Sequence, residues 1–313
     1  MKTYAIGIDI GGTNTVVGLV SRDGSVLLRD QFKTKDHPSP ESFADALQDT
    51  VSHLLAGQDV SACAGIGIGA PNANYFTGEI IDAANLPWTG RIPLKAMVEE
   101  RLGLPVTLTN DANAAAMGEM LYGAAKGMKD FMVITLGTGV GSGIVCNGRL
   151  VYGHDGMAGE LGHSIVKRGG RNCGCGRCGC LETYCSATGI VRTARELLDT
   201  TNEDSLLRHI PDHELTSKAI YEAAMAGDRL SQEIYATTGR ILGEALANFT
   251  VFSSPEAIIL FGGMAQAGKL LMDPVRKAMD DNMLSIYTTR LLPSTIEDQN
   301  AAILGASALA WEE

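Results

Sequence analysis

No run of 18 apolar residues occurs in this 313-residue chain, so a membrane-spanning helix is not expected. The apolar start M-K-T-Y-A-I-G-I-D is broken by Asp9 before it reaches the length of a leader's hydrophobic region, and a soluble, cytoplasmic protein is expected. Positive charge is in short supply: 25 Lys and Arg stand against 36 Asp and Glu, a formal net charge of −11. Such a surface repels phosphate backbones, so no nucleic-acid partner is expected, a local basic groove excepted. Glycine is abundant, 37 residues or about 12% against a usual ~7%, but it lacks the G-X-Y period of collagen. The excess therefore serves turns and close backbone approaches. Apolar residues at 45% and charged residues at 19% allow a packed core, and at ~150 residues per domain the length suggests two domains. No Pro/Ser-rich linker separates them.

The organisation shows instead in an internal echo. Tyr4 to Ser21 reads as a strand, a turn at Gly11–Gly12–Thr13 and a second β-branched strand, followed by the hairpin signal Asp23–Gly24. Residues 131 to 151 repeat the order: a strand, a turn at Gly137–Thr138–Gly139, a strand, the hairpin signal Asn147–Gly148, and an apolar strand. Matching the turns sets Asp9 against Thr135. Glycine-rich hairpins do recur by chance in a glycine-rich chain. A unit repeated about 125 residues apart nonetheless suggests two similarly built α/β domains. Between and beyond the echoes, helices are expected at 41–56, from Asn110–Asp111 to near Gly123, around 186–199, 217–227 and 229–250, and at Ala301–Trp311. Further strands are expected at 64–71, 106–109 and 257–261.

The turn Gly11–Gly12–Thr13 is neither a Walker A loop, since no G-x-x-x-x-G-K-[ST] occurs, nor a Rossmann fingerprint, since a strand follows where a helix is required. A turn without side chains still brings backbone N–H groups close to a phosphate, as a small anion nest. Thr13 and Asn14 add side-chain hydrogen bonds there, and Asp9 at the strand's end suits magnesium. Alone, such a turn is more often structural; with its second copy it reads as one of two clamps on a polyphosphate.

Seven cysteines, five of them between 173 and 185, make a poor disulfide framework and read as metal ligation in a reducing compartment. His163, Cys173, Cys175, Cys178 and Cys180 lie within 18 residues, with glycines that let a short loop wrap one ion. Five candidates compete for the four positions of tetrahedral zinc. A redox pair at Cys175–Cys178 lacks a thioredoxin-like context, and a nucleic-acid zinc ribbon lacks its two spaced C-x-x-C knuckles.

D-I-G-G-T near the start, L-G-T-G-V-G-S-G in the middle and F-G-G late resemble the phosphate and adenosine motifs of the sugar kinase/actin/Hsp70 superfamily. G-E-L-G-H followed by C-x-C-G-x-x-G-C-x-E closely resembles the signature of the ROK family (repressors, open reading frames, kinases), and the resemblance covers nearly the whole chain. It implies an α/β fold of two ribonuclease H-like (actin-like ATPase) domains with an interdomain cleft. The expected division is residues 1–112 plus about 298–313 in a small domain and about 113–297 in a large one. It implies ATP as phosphate donor with catalytic magnesium, bound by Asp9, Gly11, Gly12, Thr13, Asn14, Gly137, Thr138, Gly139, Gly262 and Gly263. It implies structural zinc on His163, Cys173, Cys175 and Cys180, with Cys178 at a variable position of the motif.

On the sugar side, Asp111 begins a helix directly after a strand, where Asp is also an ordinary cap. Capping and catalysis are compatible, and phosphoryl transfer through a loose transition state needs only a placed carboxylate. The resemblance makes Asp111 the base and Asn110, Glu160, His163 and Glu182 sugar contacts. Gly69 and Pro71 in G-A-P and Asn85 in A-N-L-P-W resemble sugar-side loops, although Asn85 reads equally as a turn residue. The expected activity is phosphorylation of a hexose 6-hydroxyl, glucose first, with fructose, mannose, N-acetylmannosamine, N-acetylglucosamine or allose as alternatives. A homodimer is expected from the same resemblance. Regulators of the family carry a helix-turn-helix ahead of the kinase-like body. Here the first strand begins at residue 4, so an enzyme is expected rather than a sugar-responsive repressor.

Overall fold

Two five-stranded sheets with one shared wiring account for the internal echo. The structure is a computed structural model that describes residues 1–311. In chain order the first part holds β1 (Tyr4–Ile10), β2 (Asn14–Ser21), β3 (Val26–Lys33), α1 (Pro40–Leu55), β4 (Cys63–Gly69), β5 (Ala73–Asn74), β6 (Glu79–Ile81), β7 (Arg91–Ile92), α2 (Leu94–Leu102), β8 (Val106–Thr109) and α3 (Asp111–Leu121). There follow β9 (Phe131–Leu136), β10 (Val140–Cys146), β11 (Arg149–Leu150), α4 (Glu182–Cys185), α5 (Ala187–Thr200), α6 (Ser217–Met225), α7 (Arg229–Ser253), β12 (Ala257–Phe261), α8 (Lys269–Asn282), β13 (Arg290–Pro293) and α9 (Asp298–Leu309). The first sheet runs β3-β2-β1-β4-β8 and the second β11-β10-β9-β12-β13, while β5, β6 and β7 form a small third sheet. β1 pairs antiparallel with β2 and parallel with β4, and β9 pairs parallel with β12. The registers match in detail. Asp9 lies opposite Gly69, the last residue of β4, and Thr135 lies opposite Phe261, the last residue of β12. The alignment of Asp9 with Thr135 is thus physical as well as sequential.

The chain divides into two compact units. One comprises residues 1–128, 143–159 and 295–313, the other 129–142 and 160–294. The expected boundary at residue 112 is corrected by this division, because α3 stays with the first sheet. α3 packs on α9 with no side chain between them: a Cβ on Gly118 would fall 2.8 Å from Gly305 Cα. α9 in turn lies on the sheet, where a Cβ on Gly67 would sit 1.8 Å from the Ala306 carbonyl oxygen. Backbone contact of this kind requires glycine. It also explains the small-residue composition of the last helix, which begins three residues earlier than its sequence pattern predicts. The core of this unit is built from Ile6, Ile8, Leu19, Ile66 and Ile68 of the strands with Phe43, Leu47 and Val51 of α1, all fully buried. Ser39 caps α1 by accepting from Ser42 N–H, and Pro40 occupies its first turn. Among the described residues no helix is long and apolar enough to cross a membrane.

Candidate active site

In the first unit the candidate residues gather at the carboxyl ends of parallel strands, where α/β sheets place their ligands. β1 ends in the turn Gly11–Gly12–Thr13, closed by a hydrogen bond from Gly11 N–H to Asn14 O at 3.0 Å. Thr34 fastens the turn from outside: its N–H donates to Thr13 O at 3.0 Å and its Oγ1 to Gly11 O at 2.7 Å. Thr13 and Asn14 are left exposed. Gly12 abuts the A-N-L-P-W loop, since a Cβ there would meet the Asn85 carbonyl oxygen at 2.4 Å. That contact brings Asn85, itself exposed, beside the turn.

Asp9 faces Gly69, Gly69 faces Thr109, and the next two residues are Asn110 and Asp111. Ala70 N–H donates to Thr109 O at 3.0 Å, which carries the ladder to Pro71 at the rim. Asn110 caps α3, its Oδ1 accepting from Ala112 N–H at 2.8 Å and Asn113 N–H at 3.0 Å. Asp111 Oδ1 also accepts from Ala112 N–H at 2.8 Å. A Cβ on Gly69 would be 3.2 Å from Ala114 Cβ and 3.6 Å from Asp111 Cα, so β4 passes close to the start of α3 there. Asp111 is accessible to solvent, although many protein atoms surround its carboxyl. Burial pushes its carboxyl up, opposed by the Ala112 N–H. Asp9, half-buried, is pushed up to about 6 by burial first and by the charge of Asp111 second. Two carboxylates within electrostatic reach of each other are the donor chemistry that a hard divalent cation takes.

In the second unit the turn Gly137–Gly139 between β9 and β10 is closed by Gly137 N–H on Gly139 O at 3.1 Å. Beside it β12 ends at Gly262, which adopts φ +95° and lies against Leu136, while Gly263 opens the short helical turn that follows. Gly137, Thr138 and Gly263 line one cavity of about 490 Å³. Lys218, Tyr221 and Gln266 complete its wall. Sequence reasoning missed these three, because they belong to no local motif and reach the cavity only through the packing of α6 and the turn after β12.

The G-E-L-G-H segment forms a helical turn at Leu161–His163 that rests on β10: Leu161 N–H donates to Ser142 Oγ at 3.2 Å. His163 Nε2 is 3.9 Å from Glu160 Oε2, and its Nδ1 is 3.6 Å from Cys173 Sγ. Cys175 Sγ and Cys180 Sγ are 3.7 Å apart. The ligand atoms of His163, Cys173, Cys175 and Cys180 all lie within 4.8 Å of one another. Four donors at ~2.1–2.3 Å around a tetrahedral ion stand about 3.5–3.7 Å apart, so these residues fit zinc. Cys178 stands outside the group, exposed, with its Sγ 3.2 Å from Asn172 Oδ1. Glu182, the first residue of α4, accepts from Val140 N–H at 3.1 Å. Arg171 pins the cysteine loop to α5. Its guanidinium donates to both Glu196 oxygens at 2.8 and 2.7 Å, to Thr183 O, Gly189 O and Thr193 Oγ1, and lies 4.4 Å from the Tyr184 ring centre.

Comparison with known proteins is consistent along the whole chain. A sequence model described as "ROK family" matches residues 5–313. A glucokinase of Halalkalibacterium halodurans is 39% identical over 279 residues, 88% of this chain and 84% of that protein. A glucokinase of Thermotoga maritima is 34% identical over 99% of this chain and 98% of its own. Among solved structures, a ROK family glucokinase from Streptomyces griseus in complex with glucose and AMPPNP superposes with a TM-score of 0.81 at 35% identity, covering 98% of each chain.

Proposed function

The chain belongs to the ROK family, and from that premise we propose that it transfers the γ-phosphoryl group of ATP to the 6-hydroxyl of a hexose, glucose before the alternatives. The placement of Asp111 carries this reading: it opens α3 at the end of β8, beside Gly69 and within electrostatic reach of Asp9. Glucose ranks first because the relatives at 34–39% identity are glucokinases. The ATP analogue in the Streptomyces griseus complex supports ATP as donor.

In this mechanism Asp111 orients the 6-hydroxyl and takes its proton as the bond to phosphorus forms. A carboxyl raised from the usual range holds that proton more readily, and a loose transition state asks for no stronger base. Asn110, Glu160, His163 and Glu182 address the remaining hydroxyls, with Gly69, Pro71 and Asn85 shaping the rim. A carboxylate that serves a hydroxyl rejects a sugar lacking it, because its desolvation is then uncompensated. Backbone N–H groups of Gly11–Asn14 and Gly137–Gly139 hold phosphates, and the cavity beside Gly262 and Gly263 takes the adenosine end. Asp9 would hold magnesium, which would supply charge neutralisation of the phosphates. His163, Cys173, Cys175 and Cys180 would hold zinc, which would supply rigidity to the ring of His163 and to the loop ahead of Glu182. A homodimer accords with the groove of about 890 Å³ between residues 164–167 and α7, flanked by exposed Ile165 and Phe252.

The test is steady-state turnover over a panel of hexoses with magnesium-ATP. Glucose should give the highest kcat/KM, and an absence of sugar-dependent ADP release across the panel would refute the kinase reading.

A further inference from the structure

The cysteine loop and the turn Gly137–Gly139 are distant in sequence, yet one carboxylate meets both. Glu182 lies two residues past Cys180. Its Oε2 accepts from Val140 N–H at 3.1 Å, and its Oε1 lies 3.6 Å from Cys173 Sγ. The approach to the turn leaves no room for a side chain: a Cβ on Gly139 would fall 2.3 Å from Oε2. The chain leaving α4 then grips the same turn again. Ala187 N–H donates to Gly137 O at 2.8 Å, and Thr188 Oγ1 donates to Thr138 O at 3.0 Å. Ser186 holds this segment in place, accepting from Gly189 N–H at 2.9 Å and donating to Glu182 O at 2.7 Å. Thr183 closes the path back to the cluster, its N–H and Oγ1 both donating to Cys180 O, at 3.0 and 2.8 Å. Every residue of the turn is therefore touched by a seven-residue stretch, 182–188, that starts beside a candidate metal ligand.

We propose that Glu182 and the first turn of α5 are positioning elements through which the ion-bound Cys/His cluster orders the turn 137–139, so that the ion sets affinity for nucleotide as well as for sugar. The inference rests on the kinase reading given above. Its physical basis is preorganisation. Backbone N–H groups bind an anion well only when already aimed at it, and each tether removes freedom that binding would otherwise have to remove. The loop 173–180 is glycine-rich, with Cys175 and Cys178 exposed; backbone bonds such as Cys173 N–H to Arg177 O and Gly179 N–H to Arg171 O shape it locally, and an ion would tie its ligand cysteines to His163 as well. Loss of the ion would release the side-chain tie of Cys173, whose Sγ lies against Glu182, and of Cys180, whose carbonyl holds Thr183.

The experiment measures equilibrium binding of a fluorescent ATP analogue with magnesium, in the absence of sugar, to full-length protein before and after zinc is stripped with a chelator. Zinc content is checked by elemental analysis and folding by circular dichroism. Stripping zinc should weaken analogue binding about tenfold in the wild type. Glu182→Ala should weaken the loaded protein to a similar extent, and stripping zinc from that variant should add little, because the coupled groups share one path. Thr188→Val, which keeps Glu182 and removes one tether, should weaken binding about threefold. Zinc removal and Glu182→Ala that lower glucose affinity while leaving nucleotide affinity unchanged would overturn the proposal, as would losses that multiply independently. Should Glu182→Ala not fold, an unchanged nucleotide affinity in Thr188→Val overturns the tether. Failure of the kinase reading looks different: the loaded wild type would bind neither analogue nor glucose.

Discussion

The charge of Asp111 reaches Asp9 and adds to burial in raising that carboxyl to about 6. Asp9 is therefore easier to ionise in the unfolded chain than in the fold. Its stabilising contribution is complete below the unfolded value near 4 and is lost as pH rises through 6. Asp9→Asn removes that penalty. In metal-free buffer the variant should exceed the wild type by about 3 kcal/mol in urea unfolding at pH 8, with the difference shrinking towards pH 5. A wild type that gains stability on Asp9 between pH 5 and 8 contradicts the assigned environment.

Asp111→Asn keeps the shape of the helix cap and removes the proton acceptor. Turnover with glucose should fall by about 10²–10⁴-fold, with KM changing far less. Near-normal kcat in this variant removes Asp111 from the proton-transfer role.

Removal of the ion should be felt as stability and as binding together. Cys180→Ser should lose bound zinc, lower the melting temperature and weaken glucose binding, whereas Cys178→Ser should keep its zinc and melt like the wild type. Elemental analysis beside differential scanning calorimetry separates these cases. Zinc lost on Cys178→Ser would place that thiolate among the ligands.

Arg171 has a side chain only 8% exposed and satisfies two backbone carbonyls as well as Glu196. Arg171→Ala leaves Thr183 O and Gly189 O without this donor and should cost about 2–4 kcal/mol in chemical unfolding. Arg171→Lys should recover little, since an ammonium cannot reproduce the forked geometry. Full recovery by lysine would mean that charge alone matters there.

Much of the site chemistry was legible locally. His163 and the cysteines sit close in sequence, so spacing limits the ligand set to five, and the strand-then-N-D pattern marks the start of α3. Spacing could not decide among the five thiolate and imidazole candidates. The fold of the glycine-rich loop sets Cys178 against Asn172 and brings Cys173, Cys175 and Cys180 together with His163. Helix limits were read to within a few residues where capping residues mark them, as at Ser39 for α1 and Asn110 for α3. The domain boundary was misread because it depends on what α3 packs against, and that partner, α9, lies some 190 residues away in the chain.

The sequence by itself determined the two strand-turn-strand repeats, the identity of the turn residues and the chemistry available at each motif, because these follow from side-chain types a few bonds apart. The tertiary structure decided which of those groups meet. Asp9 lies beside Asp111 only because β1, β4 and β8 align in parallel, and Glu182 touches Val140 only because α4 is brought against β10. Contacts between segments that no local pattern connects are set by packing, where one added methyl group at Gly67 would leave no room for the Ala306 carbonyl.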